Sequence, residues 1–238
     1  MHAADSHIRT AAPPDSGNYG FIHELLTTLV DSGQVDVPVL PEVAARVVAL
    51  AGSDEVDALR LAKLITADPP LASHVMRVAA SAAYMPNSPL TSLHQAITWL
   101  GLAEVANIAF TVAVQGRVLN VPDQRSEVLA MWREAVCAGV WAREMAATVH
   151  CDPGALYLCG LLHEIGKPVV LQAVVDVSRR TRTPLTAKER LRLMNDFKVP
   201  VGARVAQAWK LPGLVLAAVR HWQDPAGAQD DRTPVAVV

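Results

Sequence analysis

Along most of the chain, apolar residues recur every three or four positions, which is the repeat of a helix with one buried face. Phe21–Asp31 reads as a short helix, followed by an extended connector at Val35–Pro38. Leu40, Val43, Val47 and Leu50 give the spacing again within a helix at Pro41–Ala51. Asp57 is placed to cap a helix running to Thr66, and Asp68-Pro69 opens another with apolar face Leu71, Val75, Val78 and Ala82. The turn Pro86–Pro89 ends that helix. Ser92-x-x-Gln95 is a capping box in front of Ile97, Trp99 and Leu100, with Gly101 at the exit. Leu102–Gln115 continues the pattern.

Residues 117–126 hold Asn120, Pro122, Asp123 and Ser126 and mark a subdomain boundary. A long helix over Glu127–Val149 follows, with Leu129, Trp132, Val136 and Val140 on one face. Asp152-Pro153 starts a helix expected to end near Gly166. Val169–Val177 is apolar and helical by context, although rich in β-branched residues. Thr186-x-x-Glu189 is a second capping box. Val201–Trp209 and Gly213–Trp222 complete the set. Residues 1–20 read as a flexible tail and 225–238 as a polar C-terminal tail. No hairpin signal interrupts the helices.

Composition agrees with this picture. Apolar residues make up 51% of the 238 positions and charged residues only 18%, and the apolar share is dominated by Ala, Val and Leu. This balance excludes a disordered chain and favours helices packed closely on helices. Apolar runs such as Ala155–Leu162 fall short of a membrane span, and the polar, proline-bearing start lacks a signal-peptide pattern. A cytoplasmic protein without membrane insertion is expected. Cys137, Cys151 and Cys159 form no C-x-x-C pair, and the latter two read as buried or half-buried thiols. A net charge of −2 argues against a broadly electrostatic nucleic-acid binder.

Several short motifs occur in a telling order. They are Leu40-Pro41-Glu42-Val43, Asp68-Pro69-Pro70-Leu71, Ala96-Ile97-x-x-Leu100-Gly101, and Gly160-Leu161-Leu162-His163-Glu164-Ile165-Gly166-Lys167. Val201-Gly202-Ala203, Trp209-x-Leu211-Pro212 and His221-Trp222 follow. Together they resemble the HD-related output domain (HDOD), a bacterial signalling domain, over about residues 21–224. The resemblance implies an all-α fold: an N-terminal helical bundle (21–119) packed on a degenerate HD-type helical subdomain (125–224).

Working HD phosphohydrolases use an early His, an adjacent His-Asp pair and a late Asp to hold a metal that activates water. By the resemblance, Glu134 stands at the early His and His163-Glu164 at the pair. Asp196 is an insecure candidate for the late Asp. Lys198 occupies a position that often carries His, and a protonated ammonium cannot ligate. His221-Trp222 keeps one imidazole of a terminal His-His. These positions imply a vestigial pocket in which Glu134 and Lys198 are expected to pair. No cofactor is expected; a divalent metal, if bound, would rest on His163 and Glu164.

Arg179, Arg180, Arg182, Lys188, Arg190, Arg192 and Lys198 face only Glu189 and Asp196 as acids, seven bases against two, a local charge of +5. The segment is either a solvated face or, with Trp222, a docking surface. His74 and His94 read as ordinary surface or satisfied histidines, and Gly160 as a point of close helix approach. Trp99, Trp132 and Trp209 read as core, while Trp141 and Trp222 stay open between core and surface. The sequence points to a non-catalytic regulatory module with a signalling partner or a small ligand. The alternatives are a divergent metal-dependent phosphohydrolase and a nucleotide or cyclic-dinucleotide binding module.

Overall fold

A computed structural model describes residues 17–50, 58–82, 84–86, 89–118, 121 and 123–238. Asp57, Asn120, Pro122 and most of the expected N-terminal tail lie outside the described residues. Within them the chain is helical, without a strand. The first helices are α1 (Gly17–Asp31), α2 (Glu42–Leu50), α3 (Ala58–Thr66), α4 (Pro69–Ala79), α5 (Leu93–Leu100) and α6 (Leu102–Val118). Then come α7 (Arg125–Glu144), α8 (Pro153–Leu162), α9 (Gly166–Thr181), α10 (Ala187–Ala208), α11 (Gly213–His221) and the short α12 (Arg232–Val235).

Most starts and stops follow the capping chemistry read from sequence. The Asp68 carboxylate accepts from the Leu71 amide and Asp152 from that of Ala155, each ahead of a proline in the first turn. Ser92 caps α5 through the Gln95 amide, and Gly101 leaves it at φ 83°. Thr186 and Glu189 form the reciprocal capping box of α10.

The differences have local causes. The first helix begins at Gly17, four residues before the expected Phe21. The long helix stops at Glu144 rather than Val149, because Met145–His150 coils into turns that end with His150 at φ 53°. The helix from Pro153 ends at Leu162, and a tight turn over His163–Ile165 precedes Gly166. Val201–Trp209 is not a separate helix: α10 runs unbroken through Pro200. A proline removes one intrahelical bond, and packing on both sides outweighs that loss here.

Two groups of helices share one continuous core. In the first, α2, α4 and α5 pack around α6; in the second, α7 lies on α8, α9 on α10, and α11 against both α8 and α10. Helix α6 touches α8 and joins the groups. Helix α1 precedes the first group in sequence, yet packs on α9 and α10 of the second. Its C-terminal end is held by the Arg204 guanidinium, which donates to the carbonyls of Val30 (3.3 Å) and Gly33 (2.8 Å). The Trp209 indole donates to the Pro38 carbonyl at 2.7 Å and fixes the connector. Residues 225–238 pack too: a 3₁₀ turn at Pro225–Asp231 lies on α11, and Ala228 and Val235 are buried.

Trp132 and Trp209 are buried as expected, whereas Trp99 is 43% exposed, with its indole donating to the Tyr84 carbonyl at 3.3 Å. Trp99 is the penultimate residue of a short helix whose buried residue is Ala96. By length and composition the apolar stretch Pro153–Thr181 could cross a membrane, but two thirds of its apolar 18-residue window is buried in this core.

Candidate functional site

The site is built where α8 hands over to α9. Gly160 sits so close to α7 that a Cβ would fall on the Ala138 carbonyl, and Gly166 so close to α10 that a Cβ would fall on the Lys198 carbonyl. These contacts clamp the His163–Ile165 turn between the two helices. The turn is tightened by backbone bonds from Ile165 to Leu162 and from Lys167 to Glu164, both 2.9 Å.

Helix α10 carries Lys198 inward, its side chain only 8% exposed. A buried ammonium must find a counter-charge, because an unpaired charge in a poorly solvated site is costly. It donates to Oε1 of Glu164 at 2.9 Å, while Lys167 donates to Oε2 of the same carboxylate. The expected partner was Glu134; the structure replaces it with Glu164. Glu134 is an exposed residue on α7, on the wall of the cleft rather than beside the ammonium. Burial alone would raise the Glu164 carboxyl, but the hydrogen bonds and charges of the two lysines outweigh it and hold it below the ordinary carboxylate value.

His163 caps the C-terminal end of α8, and its Nδ1 lies 2.6 Å from the Gly160 carbonyl. A carbonyl can only accept, so Nδ1 carries the proton. Burial pushes the imidazole below its ordinary value, only partly opposed by that hydrogen bond and by Glu164, so the ring is neutral near pH 7. Trp222 covers both groups. Its ring meets His163 edge-on, with centroids 5.0 Å apart, and lies 4.7 Å from the Lys198 ammonium in a cation–π contact. Trp222 is thus half-buried over the ion cluster, which resolves its open assignment. A cleft of about 150 Å³ opens beside the cluster, lined by Met131, Trp132, Glu134, His163, Glu164 and Lys167 among others.

The remaining sequence candidates are elsewhere. Asp196 lies toward α1, accepting from the Tyr19 hydroxyl at 2.5 Å and lying 4.0 Å from His23 Nε2. Two residues along α10 turn through about 200°, so the inward Lys198 and the outward Asp196 lie on opposite faces and Asp196 does not serve the site. His221 packs against Gly227 of the 3₁₀ turn and does not line the cleft. The basic segment is divided. Arg179 pairs with Asp123 at 2.8 Å, Arg190 donates to the Leu185 carbonyl at 2.9 Å, and Arg192 lies over the Tyr19 ring at 4.6 Å. With Lys198 inside, only Arg180, Arg182 and Lys188 remain as exposed bases without a partner among the described residues.

A metal does not fit this donor set. Both oxygens of Glu164 are taken by ammonium groups, and a protonated Lys offers no lone pair. Among the described residues, no group of three or more His, Cys, Asp or Glu side chains converges on a point.

Sequence reasoning missed two features. Lys167 lay inside the quoted motif, but its spacing of three from Glu164 gained meaning only through the turn. The other is a bridge between the helix groups: Arg143 on α7 donates to Glu104 Oε2 on α6 at 2.5 Å, and the Tyr84 hydroxyl donates to Glu104 Oε1 at 2.6 Å. Nothing in the spacing of Glu104 and Arg143 signals this pairing.

The HDOD domain model matches residues 37–225, most of the chain and the whole of the site just described. The chain belongs to the HDOD family. Its fold is shared with an HDOD domain protein of unknown function from Geobacter sulfurreducens, with TM-score 0.69, 21% identity, and coverage of 92% of this chain and 74% of that one. A protein from Shewanella amazonensis SB2B, provisionally named a metal-dependent phosphohydrolase, aligns with TM-score 0.71 at 21% identity, covering 92% and 82%. A Marinobacter aquaeolei VT8 protein, provisionally named for signal transduction, gives 0.68 at 21%, covering 92% and 54%. A Treponema pallidum protein without an assigned function is 25% identical over 210 residues, 84% of this chain and 40% of its own length. The chain therefore spans about two fifths of that relative. Helix α1 lies N-terminal to the family match, so its packing on α9 and α10 is an addition to the matched region. The chain is an all-α HD-like module.

Proposed function

We propose that this HDOD module is a non-catalytic regulator that acts through contacts with a signalling partner. The signalling role comes from the family resemblance. The non-catalytic character is supported by one observation above all: the carboxylate at the family's metal-ligand position is neutralised from within by Lys198 and Lys167. An ammonium pair does the structural work of a cation there, holding the α8–α9 turn to α10 without lowering the pKa of any water. Glu134 and His163 keep polarity in the cleft but converge on no common point with Asp196 or His221.

The test is metal analysis of the full chain purified without chelator, together with assays on phosphomonoesters, phosphodiesters and cyclic dinucleotides. Substoichiometric metal and no turnover are expected. Stoichiometric manganese, iron or zinc that disappears in His163→Ala, accompanied by phosphoester hydrolysis, overturns the reading. The nucleotide-binding reading is weaker because four of the seven bases in the 179–198 segment are engaged within the protein.

A further inference from the structure

Helix α7 buries one side against α8 and leaves an uncommonly apolar ridge in solvent. Trp141 is 71% exposed, Met145 42% and Val140 37%, with the exposed Cys137 between them. Trp and Met are depleted from ordinary surface and enriched at interfaces, and a contiguous apolar patch usually marks one.

The ridge has two unlike flanks. At about 100° per residue, Val136 and Val140 fall to one side of the Cys137 line, and Trp141 and Met145 to the other. On the Val140 side lies an apolar cleft of about 340 Å³ between α7 and helices α4 and α6. Val136, Cys137 and Val140 form its α7 edge, and Val78, Ile108 and Val112 are deeper lining. One flank is therefore a large exposed knob and the other a hole of sufficient size. The charges divide in the same way: Arg133 falls on the cleft side and Glu134 on the Trp141 side, both exposed and without an ion pair among the described residues.

We propose that this face pairs with a second copy of the chain about a two-fold axis running parallel to α7. Such an axis places identical residues at the same height and brings each flank against the opposite flank of the partner copy. Side chains on a helix lean toward its N-terminus, so Trp141 of each copy covers the other's Cys137–Val140 edge and enters its cleft. Arg133 of each copy then faces the other's Glu134. Apolar and charged complementarity are satisfied together, twice, by one operation. An antiparallel pairing would set knob against knob and leave both clefts open. The proposal needs nothing from the regulatory reading, although Glu134 also stands on the wall of the cleft beside the ion cluster.

Sedimentation velocity on the full chain between about 5 and 200 µM tests it, with a species of twice the 25.5 kDa chain mass expected to grow with concentration. Trp141→Ala should weaken association at least about tenfold, the loss expected for an interface hot spot. Its far-UV circular dichroism should stay unchanged, because the side chain is mostly in solvent. Arg133→Glu and Glu134→Arg should each weaken the dimer, and the double variant should restore it. A short bis-maleimide should link Cys137 to its counterpart, and Cys137→Ser should abolish the link. A chain that stays monomeric throughout the range, including one that uses Trp141 for a different protein, overturns the proposal. So does a dimer indifferent to Trp141→Ala, or a double charge reversal that fails to rescue.

Discussion

The Lys198 ammonium sits 2.9 Å from Oε1 of Glu164, joining the middle of α10 to the turn between α8 and α9 across 34 residues of sequence. Both side chains are largely shielded, at 8% and 17% exposure. Removing one partner therefore costs more than a surface ion pair would. Lys198→Met should destabilise the chain by about 2 kcal/mol, less than the full penalty of a broken buried pair because Lys167 remains on the carboxylate. Adding Glu164→Gln should recover part of the loss. Urea denaturation of the four proteins in this cycle measures the coupling, and a single-variant cost below about 0.5 kcal/mol would remove the pair from the account of the fold.

Acid should act on the same cluster in a defined order. Burial holds the folded His163 below its ordinary value, so the unfolded chain takes up the proton first. That contribution to stability is complete above the unfolded imidazole value, near 6.5, and is lost as pH falls from there through the folded value. Glu164 is depressed as well, by its two lysines. Its contribution is present above the unfolded carboxylate value and disappears as pH falls through the folded one. Denaturation midpoints from pH 8 to pH 3 should fall less steeply in His163→Gln below about pH 6.5, and less steeply in Glu164→Gln only at the acid end. Imidazole resonances should show His163 taking up its proton at a lower pH in the folded chain than in the urea-unfolded one.

Two glycines should answer oppositely to alanine. A Cβ at Gly166 would land on the Lys198 carbonyl and lie 2.8 Å from the Gly202 amide, both rigid backbone. Gly166→Ala should force α9 from α10 and cost about 3 kcal/mol or more, the upper end of overpacking penalties. Gly116, within α6, has nothing within 4 Å of such a Cβ, so Gly116→Ala should be neutral or stabilise by up to about 1 kcal/mol. Thermal melts of both variants suffice, and similar melting temperatures would contradict the packing described.

The link between the helix groups should be separable from the site. Arg143 and Glu104 are 23% and 17% exposed, and Tyr84 shares the carboxylate. Its hydroxyl is pushed above its ordinary value, chiefly by burial and by that bond to Glu104. Arg143→Ala should cost about 1–3 kcal/mol, the penalty for leaving a buried polar partner unsatisfied. Its clearest local signature should be faster amide exchange in α4–α6, with protection in α9 and α10 retained. Uniform loss of protection in both groups would show a single cooperative unit.

Local signals went far because the determinants of helix ends are themselves local. Asp68-Pro69, Ser92-x-x-Gln95, Asp152-Pro153 and Thr186-x-x-Glu189 all sit where their side chains reach amides two or three residues on, which spacing alone reveals. The rule failed where packing outweighed it. The pattern predicts a separate helix over Val201–Trp209, yet α10 carries on through Pro200 because its faces are held by α9 and α11. The pattern puts Trp99 in the core, yet it stands partly in solvent with its indole donating to the Tyr84 carbonyl.

By itself the sequence determined an all-α chain, most of its capped helices, and the residues that occupy the family's ligand positions. It could not determine which of those residues meet. Glu134 and Glu164 are both acids within reach of a Lys198 partner on paper. Only the clamp of Gly160 on α7 and Gly166 on α10 sets the turn so that Glu164, and not Glu134, takes the ammonium. The rotation of α10 likewise sends Asp196 to Tyr19 and Lys198 inward, although they are two residues apart. Charge pairing is settled by distances of a few ångströms between helices distant in sequence, and those distances exist only once the core has packed.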